Sequence, residues 1–340
     1  MNTPTSTRTL IIGLTATLLS ACGGGGGGGS SGTPTPPAAD NLQTTSTANY
    51  AAGSSEHAAL RVLNNARGAC GFGLLNQSTK LDQAALNHAK YLVGEKFTDG
   101  HSETVSSSSL FTGATTAERV TATGYALSFL SAQIVTSTGV AKSTAQAEDA
   151  VKALLSAPYH LSGMVSGARE VGLAHVESKD VGKIESPNKL VFKMLLATPT
   201  GQIVQQSAAD RITTYPCQGT TGTRTGLFNE SPNPIPSRDL RVNPIGQPIL
   251  IHATLGQTLS NLSFSVKDPT NQLIDAQLLT SSNDPNKLLL GNEAIIMPLA
   301  PLSANTTYRV DIAGKRQEAG KAAVDFSLNF SFSTGAANTF

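Results

Sequence analysis

The apolar positions of the chain separate a region of helical periodicity from a later region with the periodicity of strands. Three amphipathic helices are predicted where apolar residues recur every three or four positions, over 60–67, 81–92 and 147–155. The first should end near Gly68. The third should end at Ala157, because the residue before Pro158 disfavours the α conformation.

Short runs that alternate or stay apolar between turn residues predict strands after the last of these helices. The predicted strands are 171–176, 190–197, 203–204, 249–252, 262–266, 288–290, 295–297, 307–312 and 324–332. Helices followed by strands predict an α+β domain. The later group of short strands predicts a small all-β sandwich after it.

The N-terminus has the order of a targeting segment. Arg8 supplies a positive charge, residues 10–19 form a short apolar run, and Ala21 precedes Cys22. This order resembles the bacterial lipobox, which implies cleavage before Cys22 and lipidation of that cysteine. A plain signal peptide or a spanning helix is the alternative, but the run is shorter than the roughly 20 apolar residues that a span needs. Gly23 implies transport to the outer membrane in a Gram-negative envelope, on its periplasmic or surface face.

Composition divides the remainder of the chain. We predict a signal peptide at 1–21, a lipidated cysteine with a flexible Gly/Ser/Thr/Pro tether at 22–55, a first domain at 56–218, a hinge at 219–235 and a β-sandwich domain at 236–336. The net charge of +1 argues against a nucleic-acid partner.

Several short motifs follow one another in the first domain. They are Asn64 with Arg67, the run Leu81 to Ala89, Gly100-His101-Ser102-Glu103, Glu118-Arg119 before Gly124-Tyr125, Ser156-Ala157-Pro158-Tyr159-His160 and Glu170-Val171-Gly172-Leu173. Their order and spacing, over about 55–215, resemble the bacterial branch of the CAP superfamily (cysteine-rich secretory proteins, antigen five and pathogenesis-related proteins). That resemblance implies an α-β-α sandwich with a central cleft.

The resemblance also implies a site. Family members line the cleft with two histidines and usually two glutamates, which can hold a divalent metal such as zinc. His101 and His160 match the two histidines, but Ala132 or Gln133 replaces the first glutamate, and Glu148 is only a loose counterpart of the second. Two histidines alone bind a metal weakly. The alternative is therefore that both are hydrogen-bonded residues lining a pocket.

Other reactive residues fit no catalytic template. The chain has no H-E-x-x-H, G-x-S-x-G or phosphate-binding loop. Ser162 lies two positions after His160, but sequence adjacency does not supply the geometry of a nucleophile and its base. His88 is predicted to be a packed core histidine, His175 and His252 to be structural, and His57 to lie on the surface.

Cys70 and Cys217 are the two cysteines other than Cys22. An even pair in an exported protein indicates a disulfide, and two separate buried thiols are the alternative.

The C-terminal region carries a second resemblance. Residues 298–308, with Pro298, Leu299 and Tyr308, and the ending Phe330-Ser331-Phe332-Ser333-Thr334 are similar to bacterial Ig-like domains over about 236–336. Such domains are usually spacers or adhesion modules, and nothing in this stretch carries chemistry.

Three functions fit these observations. The pattern favours a non-catalytic cell-envelope module that binds a lipid-like small molecule or a partner surface. A metal-dependent hydrolase is the second, and it needs a carboxylate to enter the cleft, with Glu103, Glu148 and Glu170 as candidates. A surface adhesin with a CAP-like scaffold is the third.

Overall fold

The computed structural model describes residues 39–95, 100–183 and 187–337. The predicted signal peptide and Cys22 lie outside these residues. Within them, no helix has the length and apolar character needed to cross a membrane.

The described part of the chain forms five α-helices, at positions that the apolar stripes and capping residues favour. They are α1 (Ser55–Ala69), α2 (Thr79–Gly94), α3 (Thr116–Ala122), α4 (Thr144–Leu154) and α5 (Pro158–Met164). The Ser54 side chain accepts the His57 N–H at the start of α1, and Thr115 and Glu118 form a capping box on α3. Proline stands at the first position of α5, where its missing N–H costs nothing.

The first sheet contains β1 (Asn76–Gln77), β2 (Leu127–Thr138), β3 (Glu170–Glu177) and β4 (Lys189–Pro199), in the order β1-β3-β4-β2. Alternate residues of β4 face opposite sides. Phe192 and Met194 join the core beneath α1, α4 and α5, whereas Val191 and Leu195 join the core beneath α2. The sheet is therefore covered by helices on both faces, and β2 is its edge strand.

The remaining strands form all-β sheets, which confirms the α+β class. They are β5 (Thr213–Tyr215), β6 (Gly226–Leu227), β7 (Ile245–Gly246), β8 (Ile249–His252), β9 (Gln257–Lys267), β10 (Ala276–Thr280), β11 (Glu293–Pro298), β12 (Thr307–Glu318) and β13 (Val324–Ser333). One sheet has the order β10-β11-β8-β5, a second β13-β12-β9, and β6 pairs with β7. The strands predicted at 203–204 and 288–290 are wrong, because neither segment pairs with a neighbour as a strand.

The helical region and the β region are joined by a disulfide and by a common core. Cys70 and Cys217 are bonded with a Cα–Cα distance of 5.5 Å, which confirms the predicted pair. β5 follows the helical region in the chain but pairs with β8. Leu60 of α1 and Leu250 of β8 belong to the same buried cluster.

Part of the predicted tether lies against the first sheet. The Gln43 side chain donates to the carbonyls of Leu74 and Arg169, at 2.9 and 3.0 Å. The Tyr50 hydroxyl donates to Asp82 Oδ1 at 2.5 Å. The chain is therefore fixed to the sheet well before α1 begins.

Candidate functional site

His101 lies in the loop that follows α2, beside the edge strand β2. A Cβ built on the preceding Gly100 would stand 2.9 Å from Cδ1 of Ile134, so loop and strand are in close contact. Burial is the largest cause that lowers the pKa of His101 to about 2, and the charges of Lys193 and His160 add to it. The ring is therefore neutral at physiological pH.

His160 is the third residue of α5, and a single carboxylate holds it. Glu230 Oε1 accepts the backbone N–H groups of Tyr159 and His160, at 2.9 and 3.1 Å, and lies 2.9 Å from His160 Nδ1. The His160 side chain keeps 16% of its surface exposed, and that of Glu230 is fully buried. Among the residues described, the His160 side chain forms a hydrogen bond only through Nδ1, so Nε2 has no partner there.

Residues next to the two histidines contact adjacent positions of β2 from opposite faces of the first sheet. Gly100, next to His101, contacts Ile134, and Gly163 of α5 lies against the neighbouring residue Gln133. The charge of His160 is also one of the causes that lower the pKa of His101. The two histidines are therefore close enough for their charges to interact, although they approach β2 from different sides.

The family's first glutamate position carries no acid here. Gln133 is buried, and its amide donates to Ser131 Oγ at 2.8 Å on the α5 side of β2. Ala132 packs on the α2 side. Neither residue supplies a charged oxygen to the cleft.

The three carboxylates considered as substitutes are bound elsewhere. Glu103 lies 3.0 Å from His88 Nδ1 and accepts the N–H of Thr112 at 2.6 Å. Glu148 pairs with Arg61. Glu170 lies near Tyr125, and burial, followed by the influence of this carboxylate, raises the pKa of that tyrosine.

The residues present do not fit the metal site that the resemblance implies. Over 39–95, 100–183 and 187–337, no three His, Cys, Asp or Glu side chains are grouped so that they could hold an ion. His101 and His160 remain as two imidazoles without the carboxylates that a stable site requires.

Three of the other histidines, His88, His175 and His252, have packed or hydrogen-bonded rings. His88 is fully buried, with Nε2 3.0 Å from the Gly100 carbonyl. His175 packs edge-on against Phe192, and burial is the main cause that lowers its pKa to about 4. His252 packs against the ring of Phe72. The backbone N–H of His57 takes part in the cap of α1.

Ser162 does not form a nucleophile–base pair with His160. Its hydroxyl donates to Glu293 Oε1 at 2.5 Å, and positions two apart on a helix do not face each other.

Glu230 is the site residue that the sequence did not reveal. It lies in the predicted hinge, 70 positions from His160, and no local motif surrounds it. Only the packing of this segment against α5 brings the two together.

Residues 60–193 match the family model described as the cysteine-rich secretory protein family, CAP. A comparison with curated proteins finds no match. A solved DUF4426 family protein from Pseudomonas aeruginosa PAO1 is 22% identical over 26% of this chain and 64% of that one, less than two thirds of its length, with a TM-score of 0.17. That likeness is too low to carry an argument. The ordered motifs and the family match together support placing residues 60–193 in the CAP superfamily.

Proposed function

We propose that this protein is a lipid-anchored cell-envelope lipoprotein whose CAP domain binds a lipid-like small molecule without catalysing a reaction. The family's α-β-α sandwich forms the binding domain, and the Ig-like β region supports it. Cys22 carries the anchor, and the outer membrane is the destination. A partner's surface is the alternative occupant of the same cleft.

The arrangement at His160 is the observation that carries this proposal. One ring nitrogen is held by Glu230, the other has no hydrogen-bond partner among the described residues, and the charge of His160 reaches a neutral His101. Such a pair offers hydrogen bonds to a polar group, but it lacks the third ligand of a catalytic zinc centre.

The surroundings suit an amphipathic ligand. Phe129 and Val135 are only partly buried on the α5 side of the edge strand β2. Ligand sites are typically apolar with a few placed polar groups. A polar head at His160 would leave an apolar tail to lie along this strand.

Solvent extraction of the purified full chain, followed by mass spectrometry, tests the proposal. We expect a bound amphiphile that is lost in the His101→Gln, His160→Gln double variant. His57→Gln is the matched control, because this histidine is exposed on α1. A wild-type protein that yields no amphiphile would reject the lipid-binding role.

One observation favours the metal-dependent hydrolase as a second candidate. A buried carboxylate on the far nitrogen of a histidine is the usual support of a metal ligand, and Glu230 occupies that position. Zinc titration by calorimetry separates the candidates: tight one-to-one binding that the double variant loses would favour the enzyme.

A further inference from the structure

We infer that Glu230 is a positioning residue that fixes His160 as a hydrogen-bond acceptor at Nε2. In consequence, the cleft selects a ligand whose polar group donates a hydrogen bond, such as a hydroxyl, over one that only accepts, such as a carboxylate. The second statement rests on the proposed function; the first does not.

The hydrogen bonds of Glu230 define its charge. Oε1 faces three groups, of which two are backbone N–H groups that can only donate. The side chain is fully buried, and Oε2 has no partner among the residues described. An ionised carboxylate satisfies these donors, whereas a protonated one would bring a further O–H that needs an acceptor.

The charge of Glu230 then determines the tautomer of His160. An ionised carboxylate only accepts, so Nδ1 must donate its hydrogen to Oε1. A neutral imidazole carries one N–H, and its second nitrogen is left as an acceptor. Nε2 is that nitrogen, and the His160 side chain keeps 16% of its surface exposed.

The β region holds the Glu230 segment in place. The Asn286 amide donates to the Asn233 carbonyl at 2.7 Å and to the Tyr159 hydroxyl at 2.9 Å. That hydroxyl donates to Asp284 Oδ1 at 2.5 Å. The segment after Glu230 and the start of α5 are thus bound to the same loop, which keeps the carboxylate against His160.

Long-range proton–nitrogen spectra of the full chain, labelled with ¹⁵N-histidine at pH 8, test the tautomer. His160→Gln identifies the signal. We expect wild-type His160 to carry its hydrogen on Nδ1. Glu230→Ala should move it mainly to Nε2, whereas Glu230→Gln keeps an acceptor oxygen and should restore Nδ1–H.

Glu293→Ala is the matched control, because it removes another buried carboxylate that contacts α5 without touching His160. It should leave the tautomer unchanged. The signals of His88 and His175 report whether each variant is folded. Hydrogen on Nε2 in the wild type would overturn the inference, even if Glu230→Ala failed to fold.

Dodecanol and dodecanoate, which have equal chain lengths, test the selection. We expect dodecanol to shift the His160 signal and to bind about tenfold more tightly, the factor that corresponds to one hydrogen bond that dodecanoate cannot make. Equal binding would overturn donor selection. If neither dodecanol nor dodecanoate bound, both donor selection and the proposed lipid binding would be contradicted. The wild-type spectrum would still decide the role of Glu230.

Discussion

Two glutamate–histidine pairs of similar geometry lie in different regions of this protein. Glu103 Oε1 is 3.0 Å from His88 Nδ1 inside the helical region, and Glu230 Oε1 is 2.9 Å from His160 Nδ1 where the β region meets α5. The first pair is closed, because His88 Nε2 faces the Gly100 carbonyl. The second is open at His160 Nε2. The unused nitrogen, rather than the pair itself, separates a candidate binding site from a structural contact.

The pKa values of His88 and Glu103 in the closed pair reflect their burial and their hydrogen bonds. Burial lowers the pKa of His88, and the hydrogen bond to Glu103 opposes that effect. Burial alone would raise the pKa of Glu103, but bonds from His88 and Thr112 and the charge of Arg119 lower it. Both nitrogens of His88 face protein oxygens, one of Glu103 and one of Gly100, so neither is left for a ligand.

Removing the carboxylate of the closed pair should have the largest effect. Glu103→Ala removes the carboxylate that contacts buried Arg119 and His88. We therefore expect a loss of about 3–5 kcal/mol in the free energy of unfolding. Glu230→Ala should cost only about 1–3 kcal/mol, because it leaves neutral N–H groups unpaired. Urea unfolding measures both, and equal losses would contradict the distinction between the pairs.

Loss of the disulfide should come next. The Cys70→Ser, Cys217→Ser variant opens a link between positions 147 residues apart, which typically costs about 2–5 kcal/mol. We expect the His160 spectrum to survive below the unfolding transition, because hydrogen bonds hold α5 against Glu230. A changed tautomer would mean that the covalent link positions the open pair.

A third buried histidine gives a smaller, pH-dependent effect. Burial and the charge of Lys142 lower the pKa of His175 from 6.5 to about 4, although Glu177 and Asp180 oppose this. The unfolded chain therefore binds a proton first as pH falls. The contribution of neutral, buried His175 to the free energy of unfolding is therefore complete above pH 6.5. It declines toward pH 4, by at most about 1.4 kcal/mol per pH unit.

Urea unfolding between pH 4 and pH 8 tests this dependence. His175→Gln should have a shallower profile than the wild type below pH 6.5 and an equal slope near pH 8. Parallel profiles over the whole range would show that His175 does not contribute.

The smallest effect on stability is expected at the open pair's own ring. His160→Gln should change the free energy of unfolding by less than about 1 kcal/mol, because the ring is partly exposed and an amide can still donate to Glu230. The same variant should lose ligand binding. A large loss of stability would instead indicate a structural histidine like His88.

The sequence predicted the elements with strong local periodicity and missed those with weak patterns. The stripe from Leu81 to Leu92 became α2, and the run at 249–252 became β8. The edge strand β2 was not evident, because its serines, threonines and half-buried apolar residues give neither a clear alternation nor a continuous apolar run.

The sequence likewise revealed some residues of the candidate site but not their contacts. His101 and His160 stand in ordered motifs, so the sequence could mark them. The contacts of Glu103, Glu148 and Glu170 could not be predicted from the sequence, because each involves residues that are distant in the chain.

The sequence by itself determined the α+β class, the CAP region and the paired cysteines, since periodicity, motif order and residue counts are local properties of a chain. Only the tertiary structure decided that β5 joins the second sheet, that both regions share a core, and that Glu230 reaches His160. These contacts are set by the burial of apolar faces and the pairing of buried polar groups across long sequence separations. For that reason the open nitrogen of His160 could be recognised only in the folded chain.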